Sequence, residues 1–356
     1  MESTDARECI GPILGPPRYR QRAVKQHMIR KLLITGLFAV GLFVLLEFSY
    51  RFYHIGLPAL NPFAVNSYTT LMGSRHIKSS EFPSVYYELK PNLDVLLRGV
   101  PLRTNSHGLA DREYPLKKPP NTYRIALLGS SWTMPASVDP ETAYQFVLEE
   151  QLNARSTGVS YEVINFGVEQ YGLGEIIGTL EHRVLAFEPD MVILATTPFT
   201  AMVKWFDRQT SFQPQADSAP IFESMVLLQL GITKSPAQNN VMPDAINNQY
   251  PGWQALYNSQ LPAALYRAKK FCDANDIDFV FMYLWWKPLV AQQEARIKDV
   301  VEKLQIPMVD PSRALDDGVT IYKVSEADRH PNSAAHAVIA EEMMKYLENQ
   351  LELKPN

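Results

Sequence analysis

Residues 123–133 read YRIALLGSSWT, an apolar run followed by a glycine and two serines. Apart from Arg124, Tyr123–Leu128 is an apolar run of the length of a buried strand. Gly129 and the two serines after it are typical of a tight turn. Such a turn exposes a hydroxyl group at the carboxyl end of a strand. The stretch therefore predicts a buried strand that presents a serine at the edge of a sheet.

Strand-like and helix-like segments alternate from this point onward. The predicted strands are Tyr123–Leu128, Tyr161–Asn165, Met191–Ala195, Asp278–Leu284 and Pro307–Val309. The predicted helices are Glu141–Asn153, Gly174–Phe187, Pro262–Asn275, Ala291–Leu304 and Ser333–Leu351. Apolar strands that alternate with helices are typical of a parallel sheet covered on both faces. The predicted fold class is therefore α/β, a flavodoxin-like doubly wound parallel sheet, in which a site lies beyond the carboxyl ends of the strands.

The amino-terminal region differs from the rest in charge and hydropathy. Residues 1–31 hold seven basic and three acidic residues, a net charge of +4, whereas the remainder carries −8. Leu32–Leu46 has no charged residue, and Glu47 interrupts an apolar character that continues to Tyr53. Residues 32–53 are long enough for a transmembrane helix. The positive-inside rule places the basic tail in the cytoplasm and the body in the periplasm or another extracytoplasmic space.

Two alternatives to this single-pass signal anchor remain open. A cleaved signal peptide needs a small-residue cleavage site, and the apolar run instead ends in residues 47–53, EFSYRFY. A buried core helix of a soluble protein is the other alternative. The predicted organisation is a cytoplasmic basic tail (1–31), a transmembrane anchor (32–53), a linker and irregular lead-in (54–120) and one α/β domain (121–354) with an insertion at 203–260.

Composition excludes several classes of protein. An apolar fraction of 46% and a charged fraction of 20% are ordinary for a globular chain, which excludes disordered, collagen-like and polytopic membrane proteins. A net charge of −4 gives no nucleic-acid footprint. Cys9 and Cys272 cannot form a disulfide framework, and no spacing of His and Cys predicts a metal site. No cofactor is expected, and the sequence does not indicate an oligomeric state.

Three residues have the chemistry of a nucleophilic site. Ser131 follows the first strand, and Asp328 and His330 precede the last helix. Residues two apart in an extended segment point the same way, so Asp328 can orient His330, and His330 can activate Ser131. Each piece also has a plainer interpretation, since a serine after a strand often caps a helix and Asp-x-His can be a cap beside a surface histidine.

These segments together resemble the SGNH/GDSL hydrolases, a family of serine esterases, in membrane-anchored bacterial form. LLGSSWTMP is similar to their first block, which implies that Ser131 is the nucleophile, with Ser130 where the family has aspartate. VINFGVEQYGLGE is similar to the second block, which implies that the N–H of Gly167 joins that of Ser131 in an oxyanion hole. DRHPNSAAHAVIAEEMMKYL is similar to the last block, which implies that Asp328 is the acid and His330 the base.

The third block departs from the family pattern. Relatives commonly carry an asparagine after the third strand as an oxyanion donor, whereas this chain reads PDMVILATTPFTAM. The hydroxyl of Thr197, or that of Thr196 or Thr200, is the available substitute. The resemblance extends over residues 85–350 outside the insertion. The missing asparagine keeps open a second hypothesis, a non-catalytic binding or scaffold protein built on the hydrolase fold.

Aromatic residues at the same edge are candidate substrate-binding groups. Trp132 follows the serine turn, and Trp285 and Trp286 follow the fourth strand. Their faces could stack on a sugar ring or an acyl group, although packing the insertion against the sheet is the alternative.

The leading hypothesis is an extracytoplasmic serine esterase or O-acyltransferase. It acts on an ester, in particular an O-acetyl group, of an envelope or exported glycan or of a small ester. A third hypothesis is a lipase that uses the apolar segment Ile221–Ile232 of the insertion as a lid.

Overall fold

The computed structural model describes residues 18–55, 57, 65–67, 76–97, 100–155, 158–198, 200, 224–230, 232, 253–285, 291–315, 321–324 and 328–351. The helices are α1 (Arg18–Ile55), α2 (Tyr144–Asn153), α3 (Leu173–His182), α4 (Met225–Gln229), α5 (Trp253–Ala274), α6 (Ala291–Lys303) and α7 (Ser333–Gln350). The strands are β1 (Val65–Ser67), β2 (Ile77–Ser79), β3 (Tyr87–Leu89), β4 (Asp94–Leu97), β5 (Val100–Arg103), β6 (Thr122–Leu128), β7 (Ser160–Asn165), β8 (Met191–Thr196), β9 (Asp278–Tyr283) and β10 (Met308–Val309).

The central sheet has five parallel strands in the order β10-β9-β8-β6-β7. The chain starts in the interior at β6, moves outward to β7, and returns past β6 to β8, β9 and β10. This is the flavodoxin-like strand order, so the predicted doubly wound sheet is confirmed. The winding reverses between β6 and β8, and the turn that contains Ser131 therefore leaves the sheet at the switch point, where such folds form a crevice.

Alternate residues of each central strand pack on opposite faces of the sheet. On one face Ala126 and Leu128 of β6 join a core with α3, α5 and α6. On the other face Ile125 and Leu127 join a core with α2 and α7. All six residues of β8 are buried, which explains why that strand reads as a continuous apolar run. The helices thus cover both faces and leave the carboxyl ends of the strands for a site.

The five predicted strands are confirmed, but the bounds of three predicted helices are corrected. Helix α3 ends at His182, and the residues predicted to continue it to Phe187 form a separate 3-10 helix, Val184–Phe187. Ala143 has an extended backbone, so Glu141 lies in a separate 3-10 turn and α2 begins at Tyr144. Helix α5 begins at Trp253 and continues through Pro262, where the sequence predicts its start. Proline costs a helix one backbone hydrogen bond, and the burial of Leu261 and Leu265 against the sheet offsets that cost.

The lead-in to the α/β domain contributes to its core. Strands β2 and β3 pair antiparallel, as do β4 and β5, while β1 lies parallel to β4. Ile77, Tyr87 and Leu89 are fully buried in the same core as α3. This part of the segment expected to be a linker with irregular strands is therefore packed against the domain.

Helix α1 presents apolar side chains outward. Its segment Val24–Tyr53 is long and apolar enough to cross a membrane. Only 6% of the most apolar 18-residue stretch of this segment is buried. A signal sequence near the amino terminus meets the same criteria of length and composition. In the insertion, the structure describes α4, its flanking residues and the first turns of α5.

Candidate active site

The turn after β6 is closed by its own backbone. The carbonyl oxygen of Ser130 accepts the N–H groups of both Thr133 and Met134, each at 2.9 Å. A Cβ atom on Gly129 would lie 1.9 Å from Oγ1 of Thr133, so only glycine allows the chain to fold back this closely. The turn therefore holds Ser131 in a fixed position at the end of the strand.

Ser131 is available for reaction in this arrangement. It is partly exposed between the buried residues Ser130 and Trp132. Among the described residues, neither its hydroxyl nor its backbone N–H makes a hydrogen bond. A free hydroxyl beside a free N–H is the pair that a nucleophile and its first oxyanion donor require.

Asp328 and His330 form the second half of the site. Oδ1 of Asp328 lies 2.6 Å from Nδ1 of His330 and also accepts the backbone N–H of His330 at 3.0 Å. The hydroxyl of Ser137 donates to Oδ2 of Asp328 at 2.9 Å. A carboxylate on Nδ1 favours the tautomer with its proton on that nitrogen, which leaves Nε2 as the basic atom.

Residues that follow the serine turn hold this dyad and the start of α7. Besides the Ser137–Asp328 bond, the hydroxyls of Thr142 and Ser333 lie 2.9 Å apart. The N–H of Tyr144 donates to Nδ1 of His336 at 3.2 Å. The segments 137–144 and 328–336 are thus joined side by side, and they bring the start of α7 to the Ser131 turn. No hydrogen bond among the described residues joins Ser131 to His330, so the complete triad remains a prediction.

His336 acts as a structural residue of this junction. Burial, with a smaller effect of nearby His330, lowers the pKa of His336 to about 3, so its ring is neutral. The ring stacks on Tyr144 at 5.6 Å between centroids, and the hydroxyl of Tyr144 donates to Oγ1 of Thr133 in the serine turn at 3.1 Å. Ser137 and Tyr144 are not identifiable from sequence, because their partners lie 191 and 192 residues away in the chain.

The predicted oxyanion donor Gly167 is engaged within its own loop. Its N–H donates to Oδ1 of Asn165 at 2.8 Å, and Nδ2 of Asn165 donates to the carbonyl oxygen of Thr133 at 2.8 Å. A Cβ atom on Gly167 would lie 2.8 Å from the nitrogen of Met134, so this loop is pressed against the serine turn. A substrate oxygen would have to share the Gly167 N–H with Asn165 or replace it.

The predicted donor Thr197 is paired with Thr200. The N–H of Thr197 donates to Oγ1 of Thr200 at 3.0 Å, and the two hydroxyl oxygens lie 3.1 Å apart. Whichever hydroxyl donates to the other, one of the two O–H protons has no acceptor within the pair. Both residues are buried and follow the carboxyl end of β8. The remaining O–H proton of the pair can therefore be donated to a third oxygen.

Two of the three tryptophans predicted to bind substrate pack against each other. The rings of Trp132 and Trp285 stack with centroids 5.5 Å apart and an interplanar angle of 26°. Trp132 is 6% exposed and belongs to the core shared with α2 and α7. This geometry favours packing for Trp132 and leaves partly exposed Trp285 as the better candidate for substrate contact. Trp286 lies outside the described residues.

Metal chemistry has no candidate centre in the part of the chain that the structure describes, where no group of three or more His, Cys, Asp or Glu side chains has a metal-binding arrangement.

Comparison with known proteins gives matches among solved structures only. No family model matches the chain, and no curated protein matches it. One solved match is TesA, at 11% identity and a TM-score of 0.43, covering 64% of this chain and 98% of TesA. Another is Axe2, an acetylxylan esterase from Geobacillus stearothermophilus, at 16% identity and a TM-score of 0.40, covering 63% and 93%.

A third solved match is described as a lipolytic protein of the G-D-S-L family from Desulfitobacterium hafniense. It is 13% identical, with a TM-score of 0.38, and the match covers 62% of this chain and 98% of that one. The description of this third match carries the same family name as the sequence resemblance. At this level of identity and TM-score the three matches establish no activity for this chain.

Proposed function

We propose that this protein is a serine esterase or O-acyltransferase of the SGNH type. The observation that carries the proposal is the Asp328–His330 pair, held by a 2.6 Å hydrogen bond and bound by Ser137, which is six residues after Ser131 in the chain. A carboxylate that orients a histidine near an unengaged serine is the arrangement of a nucleophilic acyl-transfer site.

The chemistry follows from the atoms in place. Oγ of Ser131 attacks the ester carbonyl carbon as Nε2 of His330 takes its proton. The carbonyl oxygen becomes an oxyanion, which the N–H of Ser131 stabilises, with Gly167 and the Thr197 pair as further donors. Collapse of the intermediate expels the alcohol, which receives the proton from His330. Water or a sugar hydroxyl then attacks the acyl-serine through the same base, so hydrolysis and transfer share one intermediate.

The proposed substrate is an ester, specifically an O-acetyl group on an envelope or exported glycan or on a small molecule. The proposed setting is the outer face of a membrane, with residues 32–53 as a single-pass anchor and the basic tail in the cytoplasm. The outward apolar side chains of α1 and the +4 charge of residues 1–31 support this arrangement.

A fluorophosphonate probe tests the proposal directly, because it reacts with an activated serine. We expect the full-length protein to be labelled and Ser131→Ala to lose the label. Ser79→Ala, which changes an exposed serine on β2, is the matched control and should label like the parent. Absence of labelling and of acetyl-ester turnover in folded protein would refute the enzymatic proposal.

A binding protein on the same fold is the second candidate function. It is favoured by the engaged N–H of Gly167 and by the absence of a described hydrogen bond between Ser131 and His330. In that case the folded protein would bind an acetylated oligosaccharide in calorimetry, with equal affinity for the parent and Ser131→Ala, while neither is labelled by the probe.

A further inference from the structure

The insertion makes a specific contact with the apolar helix α1. Glu47 is the first charged residue after fifteen uncharged ones, and its side chain is only 2% exposed. Its carboxylate accepts the hydroxyl of Ser224 at 2.6 Å and the N–H groups of Met225 and Val226 at 2.9 and 3.1 Å. Nε of Arg51, itself fully buried, donates to the same carboxylate at 2.5 Å. Glu47 therefore holds the amino end of α4.

The position of Glu47 along α1 fixes a depth for this contact. Glu47 is sixteen residues beyond Lys31, the last basic residue before the apolar run, which corresponds to about 24 Å of helix. Arg51 is four residues further on, at about 30 Å, which equals the thickness of the hydrocarbon core. With α1 as a membrane anchor, Glu47 then lies about one helical turn inside the outer boundary of the hydrocarbon.

A carboxylate at that depth needs partners, because water does not satisfy it there. Arg51, Ser224 and the two backbone N–H groups supply four donors to its two oxygens. The amino end of α4 must consequently lie at the same depth as Glu47.

The composition of this part of the insertion fits that location. Residues 224–233 contain no charged residue. Leu230 is 65% exposed and Ile232 is 67% exposed, while Val226 and Leu227 are partly exposed. An uncharged segment with exposed leucine and isoleucine is costly in water and suited to the boundary between headgroups and acyl chains.

From these observations we infer that residues 224–230 and Ile232 insert into the outer leaflet of the bilayer as a second membrane contact, docked on α1 through Glu47. The inference rests on the proposed role of α1 as an anchor. This second contact holds the α/β domain at the membrane surface by two points instead of one. The two contacts restrict the rotation of the domain and direct its site toward substrates near the membrane.

Depth-dependent quenching of fluorescence tests this contact in the full-length protein. The protein is placed as single copies in nanodiscs of phosphatidylethanolamine and phosphatidylglycerol, with Cys9→Ser and Cys272→Ala as background. An environment-sensitive fluorophore is attached at Leu230→Cys or Ile232→Cys, and lipids with a quencher near the headgroup end of the acyl chain are added. We expect blue-shifted emission and quenching by these lipids at both positions.

Two control positions separate the possible failures. Leu185→Cys, an exposed apolar residue before β8, should remain unquenched, whereas Leu42→Cys within the apolar run should be quenched by lipids with a deeply placed quencher. Quenching at Leu42 with none at Leu230 or Ile232 would overturn this inference and leave the anchor intact. Absence of quenching at Leu42 would overturn the anchor and the inference with it. Blue-shifted emission without lipid quenching would show a protein contact instead.

Glu47→Leu gives an independent test, since it makes α1 more apolar yet removes the acceptor for α4. We expect membrane extraction of this variant to be at least as difficult as that of the parent, with quenching at Leu230 reduced to the level of Leu185. Leu45→Gln, which adds a polar group on an exposed part of the same helix, should retain quenching at Leu230. Retained quenching in Glu47→Leu would contradict docking through Glu47.

Discussion

At the scale of single residues, the Asp328 carboxylate is the best-defined part of the site. Its Oδ1 faces Nδ1 of His330, so Asp328→Asn would place an amide against that nitrogen and favour the wrong tautomer. We expect kcat to fall by about 10³- to 10⁴-fold, with KM changed little, in a steady-state assay on an acetyl ester. Asp94→Asn, which changes an exposed carboxylate at the start of β4, is the control. A decrease of less than ten-fold would argue that Asp328 has no role in orienting the base.

Ser137 is a positioning residue that acts through Asp328. Its hydroxyl holds Oδ2, and one hydrogen bond to a charged group is worth roughly 1.5–3 kcal/mol. Ser137→Ala should therefore lower kcat/KM by about ten-fold or more while the protein still folds, since Ser137 is partly exposed. Ser137→Thr keeps the hydroxyl and should restore most of the activity. Equal loss in both variants would indicate a steric effect and exclude this role.

At the scale of secondary-structure elements, the edge strand β7 is protected by side chains. Every second N–H group of this strand points away from the sheet, and each of them donates a hydrogen bond to a side-chain oxygen. These donors belong to Tyr161, Val163 and Asn165. The acceptors are Asn153 at 2.9 Å, Glu149 at 2.7 Å and Asp111 at 2.8 Å, in the same order. These oxygens occupy the positions that a further strand would take, so they close the sheet on this side.

Asp111 makes that edge sensitive to pH. Burial of its carboxyl group is the main cause that raises its pKa from 3.8 to about 7. The folded state therefore binds the proton more tightly than the unfolded state. The resulting stability is fully present below about pH 4 and is lost as the pH rises through 7. A shift of this size corresponds to at most about 4 kcal/mol.

Asp111→Asn tests this dependence, because asparagine resembles the protonated carboxyl group at every pH. Urea unfolding should show that the free energy of unfolding of the parent falls between pH 4 and pH 8 relative to that of the variant. Asp94→Asn again serves as an exposed control. Parallel curves for the parent and Asp111→Asn would show that this carboxyl group does not titrate in that range.

The sequence predicts elements better than it predicts contacts between them. The apolar run of β8 is buried at every position, so composition alone identifies it as a central strand. Asp328 and His330 could be paired because only one residue separates them in the chain. Ser137 and Asp111 could not be placed, since each is an ordinary polar residue whose partner is 191 or 54 positions away. The start of α5 at Trp253 is likewise not predictable from local sequence, because packing overrides the local preference of Pro262.

At the scale of the whole molecule, the charge difference between the tail and the body sets the expected topology. A reporter fused after Phe63 should be active only outside the cytoplasm, because the +4 tail remains on the inner side. The Glu47 contact adds a second expectation, that α1 is retained. Removal of α1 would deprive Ser224, Met225 and Val226 of their acceptor. Mass spectrometry of the protein extracted from membranes should therefore find residues 32–53 still attached. A mature amino terminus beyond Tyr53, or reporter activity in the cytoplasm, would contradict the anchored topology.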